Sequence, residues 1–423
     1  MKRLTRREML RLWALAGAGT LAAACGATTA IAPTVPTSAL APTLTPAAAD
    51  TAEPAIENTP TPEMTDTAES TAADITESAA TDTTAPTAGG SSPEPNPPGA
   101  PVRLIFIHHS VGENLLKDDS DGGGGLGTAL RDNNYFVSDT NYGWGPADAD
   151  AGSETIGDHT DIGQWWTWFR GPHRDTYLAS LYAEGNQNCS YSRLESGPDG
   201  ENSIVLFKSC FPNSYIGGNP AGGSAGDDNP LRGEGSSSEW HTVANIKGIY
   251  NDLLAYFAMR PDKLFVTLGF AALSSNSTDD AHAANARAVA DWLVNDWLKG
   301  YPQRNVAVFD LFNVLTTNGG DTDTNDLNQE AGNHHRWWQG AVQHMNGSGN
   351  NFLAYWSGDD HPSQAGSRKA TGEFVPLLNY FYNRWQAGSV ALNGITNLHE
   401  RSDAARGNGP GHAHPGCRHP RCV

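Results

Sequence analysis

A serine stands near one end of the part of this chain able to fold, and a histidine with two aspartates stands near the other. The apolar run Arg103-Leu104-Ile105-Phe106-Ile107 stops at His108-His109-Ser110-Val111-Gly112, and Asp359-Asp360-His361-Pro362 lies far downstream. Acyl transfer by a serine needs an exposed hydroxyl, a histidine to take its proton and usually a carboxylate to orient that histidine. It also needs fixed hydrogen-bond donors for the oxyanion that develops. The ends of apolar runs supply candidates for each part. Ser110 ends the first, Gly143 follows the second in Asn141-Tyr142-Gly143-Trp144-Gly145, and Asn213 follows the third in Ser209-Cys210-Phe211-Pro212-Asn213. Each residue alone is an ordinary cap, turn or surface residue. Their succession on strand ends gives them meaning, because the strand ends of a parallel sheet gather on one edge.

The elements that must position these residues follow from pattern. Strands are predicted at Val102–Ile107, Tyr135–Ser138, Ser203–Lys208, Lys263–Leu268 and Asn305–Phe309. Helices are predicted at about Ser238–Met259, Asp279–Leu298 and Ser363–Trp385. Val243, Ile246, Leu253, Leu254 and Phe257 recur at helical spacing in the first of these. Pro376 lies inside the last and is expected to kink or break it. Strands alternating with helices imply βαβ units with right-handed crossovers. The expected fold is therefore α/β: a three-layer α/β/α sandwich around a central, mostly parallel five-stranded sheet. Two stretches, Pro146–Asn202 and Thr316–Ser357, show no clear periodicity. They hold Trp165, Trp166, Trp168 and Phe169, and His334, His335, Trp337, Trp338 and His344. These aromatic groups read either as plugs over the sheet or as a binding rim or lid.

The order of these motifs resembles the SGNH hydrolase superfamily, the GDSL-type esterases and lipases, over most of residues 102–385. The resemblance implies a flavodoxin-like sandwich and a serine esterase needing no cofactor. It makes Ser110 the nucleophile, His361 the base and Asp359 its orienting carboxylate. The Ser110 N–H, the Gly143 N–H and the Asn213 side-chain amide become the oxyanion donors, with Gly145 and Ser209 as alternatives. The chain departs from the pattern at three places. His108-His109-Ser110 stands for Gly-Asp-Ser, Phe211 replaces the glycine two places before the asparagine, and Gly358 replaces the usual acid three places before the histidine.

The remaining sequence bounds the setting. Residues 1–25 combine Lys2, Arg3, Arg6 and Arg7 with an apolar run ending at Cys25, as in a twin-arginine-like lipoprotein export signal. The expectation is an extracytoplasmic protein, lipidated at Cys25 or secreted, whose only membrane contact is that lipid. Residues 26–100 are rich in Thr, Pro and Ala, without Lys or Arg, and read as a disordered acidic tether. Residues 101–388 make the folded domain, and 389–423 an irregular tail with His412, His414, Cys417, His419 and Cys422. Of the net charge of −20, the export signal carries +4 and the tether −10, leaving −14 for residues 101–423. Such a surface argues against nucleic acid or anionic lipid as partner. Cys189 and Cys210 are either paired or free and buried.

Trp144, Trp165 and Trp337 are the candidate substrate-binding residues, since aromatic faces stack on sugar C–H groups. The expected substrate is a small acyl ester, acetyl above all, with an acylated glycan as the natural partner. The rival is a non-catalytic glycan-binding or surface-interaction lipoprotein on the same fold. A metal-dependent hydrolase using His108, His109, His334, His335 or His344 is disfavoured by the lack of a His-Glu-x-x-His pair, and no metal is expected.

Overall fold

A computed structural model describes residues 94–147, 154–316, 327, 329–347 and 349–406, with side chains as far as 388. The export signal, almost all of the tether, Cys25, Cys417 and Cys422 lie outside these residues.

Five parallel strands form the central sheet: β1 (Val102–Ile107), β2 (Tyr135–Thr140), β3 (Ile204–Ser209), β4 (Leu264–Phe270) and β5 (Val306–Val308). Their order is β2-β1-β3-β4-β5. β2, β3 and β4 are buried along their whole length, as is β1 from Leu104 to Ile107. This is the burial expected where helices cover both faces of a parallel sheet, and it explains the continuous apolar runs. The eight helices among the described residues are α1 (Ser110–Leu116), α2 (Leu126–Asp132), α3 (Trp165–Phe169), α4 (Arg174–Ala183), α5 (Val243–Phe257), α6 (Asp280–Asn295), α7 (Leu311–Leu315) and α8 (Gln364–Arg406). α8 packs on α1, α2 and α7, whereas α3 packs on α4 and α5, and α5 on α6. The three-layer α/β/α sandwich is as the sequence implies.

Three local expectations need correction. α8 is not broken at Pro376 but continues to Arg406, well into the stretch read as an irregular tail. The first irregular stretch contains α3 and α4. Trp165, Trp168 and Phe169 of α3 are wholly buried, with Phe169 against Phe207, Phe257 and Phe265. They are core, because such a dense aromatic run loses most by facing water. The second stretch contains an antiparallel hairpin, β6 (His334–Trp338) and β7 (Ala341–Met345). Glu373 of α8 accepts from the His335 backbone N–H at 2.9 Å and pairs with the His334 ring at 2.5 Å, both groups fully buried. The hairpin is thereby stitched to the scaffold and does not form a loose flap.

In a sheet of this order the chain leaves in opposite directions after β1 and β3, which opens a crevice at their carboxyl ends. Ser110 follows β1, and the Cys210–Ser214 turn follows β3.

Candidate active site

The turn from β1 into α1 holds Ser110. His109 has extended backbone, and its carbonyl accepts from Gly112 N at 2.8 Å and Glu113 N at 3.1 Å, which starts the helix. Gly112 has to be glycine: an added Cβ would sit 2.3 Å from the His108 Cβ. Ser110 is thus the first helical residue and is partly exposed.

His361 arrives from the other end of the fold. The Ser110 hydroxyl donates to His361 Nε2 at 2.7 Å, across 251 positions of sequence. The turn before the histidine is set by Gly358, whose φ of +116° disfavours any side chain. Asp359 Oδ1 accepts from the His361 backbone N–H at 2.8 Å and from ring Nδ1–H at 3.1 Å, with the Ser357 hydroxyl 3.0 Å away. Partial burial works against the charge on Asp359, but the His361 N–H and ring and the Ser357 hydroxyl outweigh it and hold the carboxyl below its ordinary range. The neighbouring Asp360 is buried, and its Oδ1 accepts from Ser274 N at 2.8 Å, so it is turned toward the loop after β4. The edge of the His361 ring meets Phe211, with centroids 4.9 Å apart at 79°. Ser110, His361 and Asp359 therefore form one continuous hydrogen-bonded chain.

The expected oxyanion donors are placed differently. Gly143 sits after β2 with φ +72°, but its N–H donates to Asp158 Oδ1 at 2.9 Å. Asn213 is fully buried. Its amide nitrogen donates to Asp161 Oδ1 at 2.6 Å and to the Cys210 carbonyl at 3.3 Å, while its oxygen accepts from Ile162 N at 2.8 Å. It clamps the turn before α3 onto the end of β3 and has no proton left for a ligand. Ser209, one of the alternatives, is buried and accepts from Trp165 Nε1 at 2.8 Å. These carboxylates lie in the irregular stretch after β2, where sequence pattern gave no hint of them.

A residue unassigned by sequence, Tyr142, stands beside Ser110. The Tyr142 hydroxyl lies beside Ser110, whose N–H and side chain act on its electrostatics. Its ring stacks on His109, with centroids 3.8 Å apart at 24°. Tyr142 is half exposed, but desolvation of its hydroxyl pushes the phenol up to about 12, with nearby Cys210 adding to the effect and Ser110 opposing it, so at neutral pH the hydroxyl keeps its proton and can donate. His109 is the platform. Its Nε2–H donates to the Gly157 carbonyl at 2.8 Å, and its Nδ1 accepts from the Thr160 hydroxyl at 3.0 Å. Burial lowers its pKa to about 4 against the pull of that carbonyl, so the ring is neutral. Cys210, a free thiol, lies 3.6 Å from Ser110 Oγ. The signal for Tyr142 was its position: it directly precedes the glycine chosen at the end of β2.

The tryptophans chosen for substrate contact do not serve as chosen. Trp165 is wholly buried. Trp144 is nearly so, stacked on Trp168 with its Nε1 donating to Glu184 Oε2 at 2.7 Å. Trp337 packs on Tyr380 of α8. Aromatic rings beside the serine and histidine come instead from Tyr142 and Phe211. Cys189 and Cys210 are both free. No helix among the described residues is long and apolar enough to cross a membrane.

No family model matches the chain, and searches of curated proteins and of solved structures return no match.

Proposed function

We propose that this chain is a serine esterase of SGNH type that hydrolyses small acyl esters through an acyl-serine intermediate. The observation that carries the reading is the 2.7 Å hydrogen bond from Ser110 Oγ to His361 Nε2, with Asp359 on the far ring nitrogen. Ser110 Oγ attacks the ester carbonyl while His361 takes its proton, and Asp359 stabilises the imidazolium. The alkoxide leaves with that proton. Water then attacks the acyl-serine with His361 as base again, and the acid departs. The Ser110 N–H and the Tyr142 hydroxyl, which face each other in the free protein, become the donors for the oxyanion when the substrate carbonyl takes the place of their mutual contact. Walls formed by Tyr142, Phe211 and Cys210 suit an acetyl group, and an acetylated carbohydrate is the substrate class we favour. No cofactor enters these steps. The export signal and Cys25 make the protein an extracytoplasmic lipoprotein in this reading.

The second reading, a glycan-binding lipoprotein without catalysis, draws support from the occupied Gly143 and Asn213 amides. One experiment separates them. A fluorophosphonate probe should label the wild type and leave Ser110→Ala and His361→Ala unlabelled, with acetyl-ester hydrolysis lost in parallel. A folded wild type that takes no label and still binds glycan would end the esterase reading.

A further inference from the structure

The other histidine of the His-His-Ser turn faces away from this chemistry. His108 is fully buried, as is Asp139 at the end of β2. Its Nδ1 lies 2.9 Å from the His109 carbonyl, which can only accept, so Nδ1 carries a hydrogen. Nε2 is turned toward Asp139 Oδ2 at 3.2 Å and Cys189 Sγ at 4.0 Å. All three ligand-capable atoms lie within 4.8 Å of one another. Zinc bonds of about 2.0–2.3 Å put tetrahedral neighbours about 3.3–3.6 Å apart, so only small movements would bring the three onto one ion.

The supporting contacts fit the same purpose. Asp139 Oδ1 is held by Asn188 N–H at 2.8 Å and the Tyr191 hydroxyl at 2.9 Å, which leaves Oδ2 to face the cluster. A histidine whose far N–H is fixed by a backbone carbonyl, and a carboxylate whose far oxygen is fixed by donors, are the outer contacts that orient metal ligands. Cys189 is only half-buried and borders a shallow depression lined by Gln187, Asn188, Ser190 and Tyr191. Solvent can supply a fourth ligand from that side.

We propose that His108 Nε2, Asp139 Oδ2 and Cys189 Sγ bind one zinc ion, with water in the fourth position. Binding converts the thiol to thiolate and releases its proton to solvent, and the ion replaces whatever proton the apo cluster shares between ring, carboxylate and sulfur. The ion ties β2 and the 187–191 segment to the residue two places before Ser110. Its role is to brace that turn, and the proposal stands whether or not Ser110 is a nucleophile.

Cobalt(II) added to the metal-free, reduced full-length protein tests this. We expect a thiolate-to-cobalt charge-transfer band, visible bands of four-coordinate intensity, and one equivalent of zinc retained after dialysis. Cys189→Ser should abolish the band and lose that equivalent. Tyr191→Phe keeps all three ligands and should weaken zinc binding about 10–100-fold. The double variant Cys417→Ser/Cys422→Ser should leave band and affinity unchanged. The proposal is overturned by a wild type without the band, by its survival in Cys189→Ser, or by its loss with the tail pair instead.

Discussion

Tyr142 is where sequence and structure part most sharply. The family pattern asks for amide donors from Gly143 and Asn213, yet both are bound to carboxylates. In the esterase reading, the Tyr142 phenol, which keeps its proton, is the side-chain donor beside Ser110. Tyr142→Phe keeps the stack on His109 and removes only the hydroxyl. It should lower kcat about 10²–10³-fold with little change in KM, the loss seen when one oxyanion donor goes. An unchanged kcat would return that role to backbone groups. The two aspartates before His361 make a second comparison. Asp359→Ala should cut kcat by about 10²–10⁴-fold, since it frees both the ring and the backbone of His361. Asp360→Asn, by contrast, should leave kcat near wild type and cost stability through the Ser274 contact. Sequence could name Ser110 and His361 because their residue types and their places at element ends narrow the choice. It could not foresee Asp158 and Asp161 beside Gly143 and Asn213, because a carboxylate in an aperiodic loop carries no pattern.

Among the elements, the β1–α1 turn bears the most consequence. Gly112 lets the helix begin directly against the His108 side chain. Gly112→Ala should destabilise the fold by about 1–3 kcal/mol, the usual range for overpacking a tight site, as read from urea unfolding. It should also weaken labelling of Ser110 by the fluorophosphonate probe, because the turn must shift. All five strands of the sheet were legible from apolar runs bounded by turn residues, and α5, α6 and the start of α8 from helical spacing or the residues around it. α3 was not, since Trp165-Trp166-Thr167-Trp168-Phe169 is too short to show a period. The β6–β7 hairpin was missed for a related reason. Its strand His334-His335-Arg336-Trp337-Trp338 carries a His334 ring and a His334 carbonyl that Glu373 and Asn313 respectively satisfy only after folding.

For the molecule as a whole, buried imidazoles govern behaviour in acid. His335 is buried between Phe309 and His344 and accepts from Asp310 N–H at 2.9 Å. Burial, helped by His344, lowers its pKa from 6.5 to about 3. In the unfolded chain the same ring takes a proton near 6.5. Between about pH 6.5 and pH 3 the unfolded state therefore holds one more proton at this site, and stability falls as pH falls. Well inside that window the slope from this one group approaches about 1.4 kcal/mol per pH unit. Urea titrations from pH 4 to 7 should show His335→Gln with a shallower decline than wild type. Equal slopes would mean that the ring protonates without unfolding.

The serine belongs to the first helix of the folded domain, and its partner imidazole stands just before the last. No shortened product that stops before residue 361 can hold the pair, however well its sheet has assembled. In the esterase reading, reactivity toward a covalent probe then certifies synthesis past residue 361: a ribosome stalled before it, or a protease clipping the final helix away with His361, would release a silent molecule.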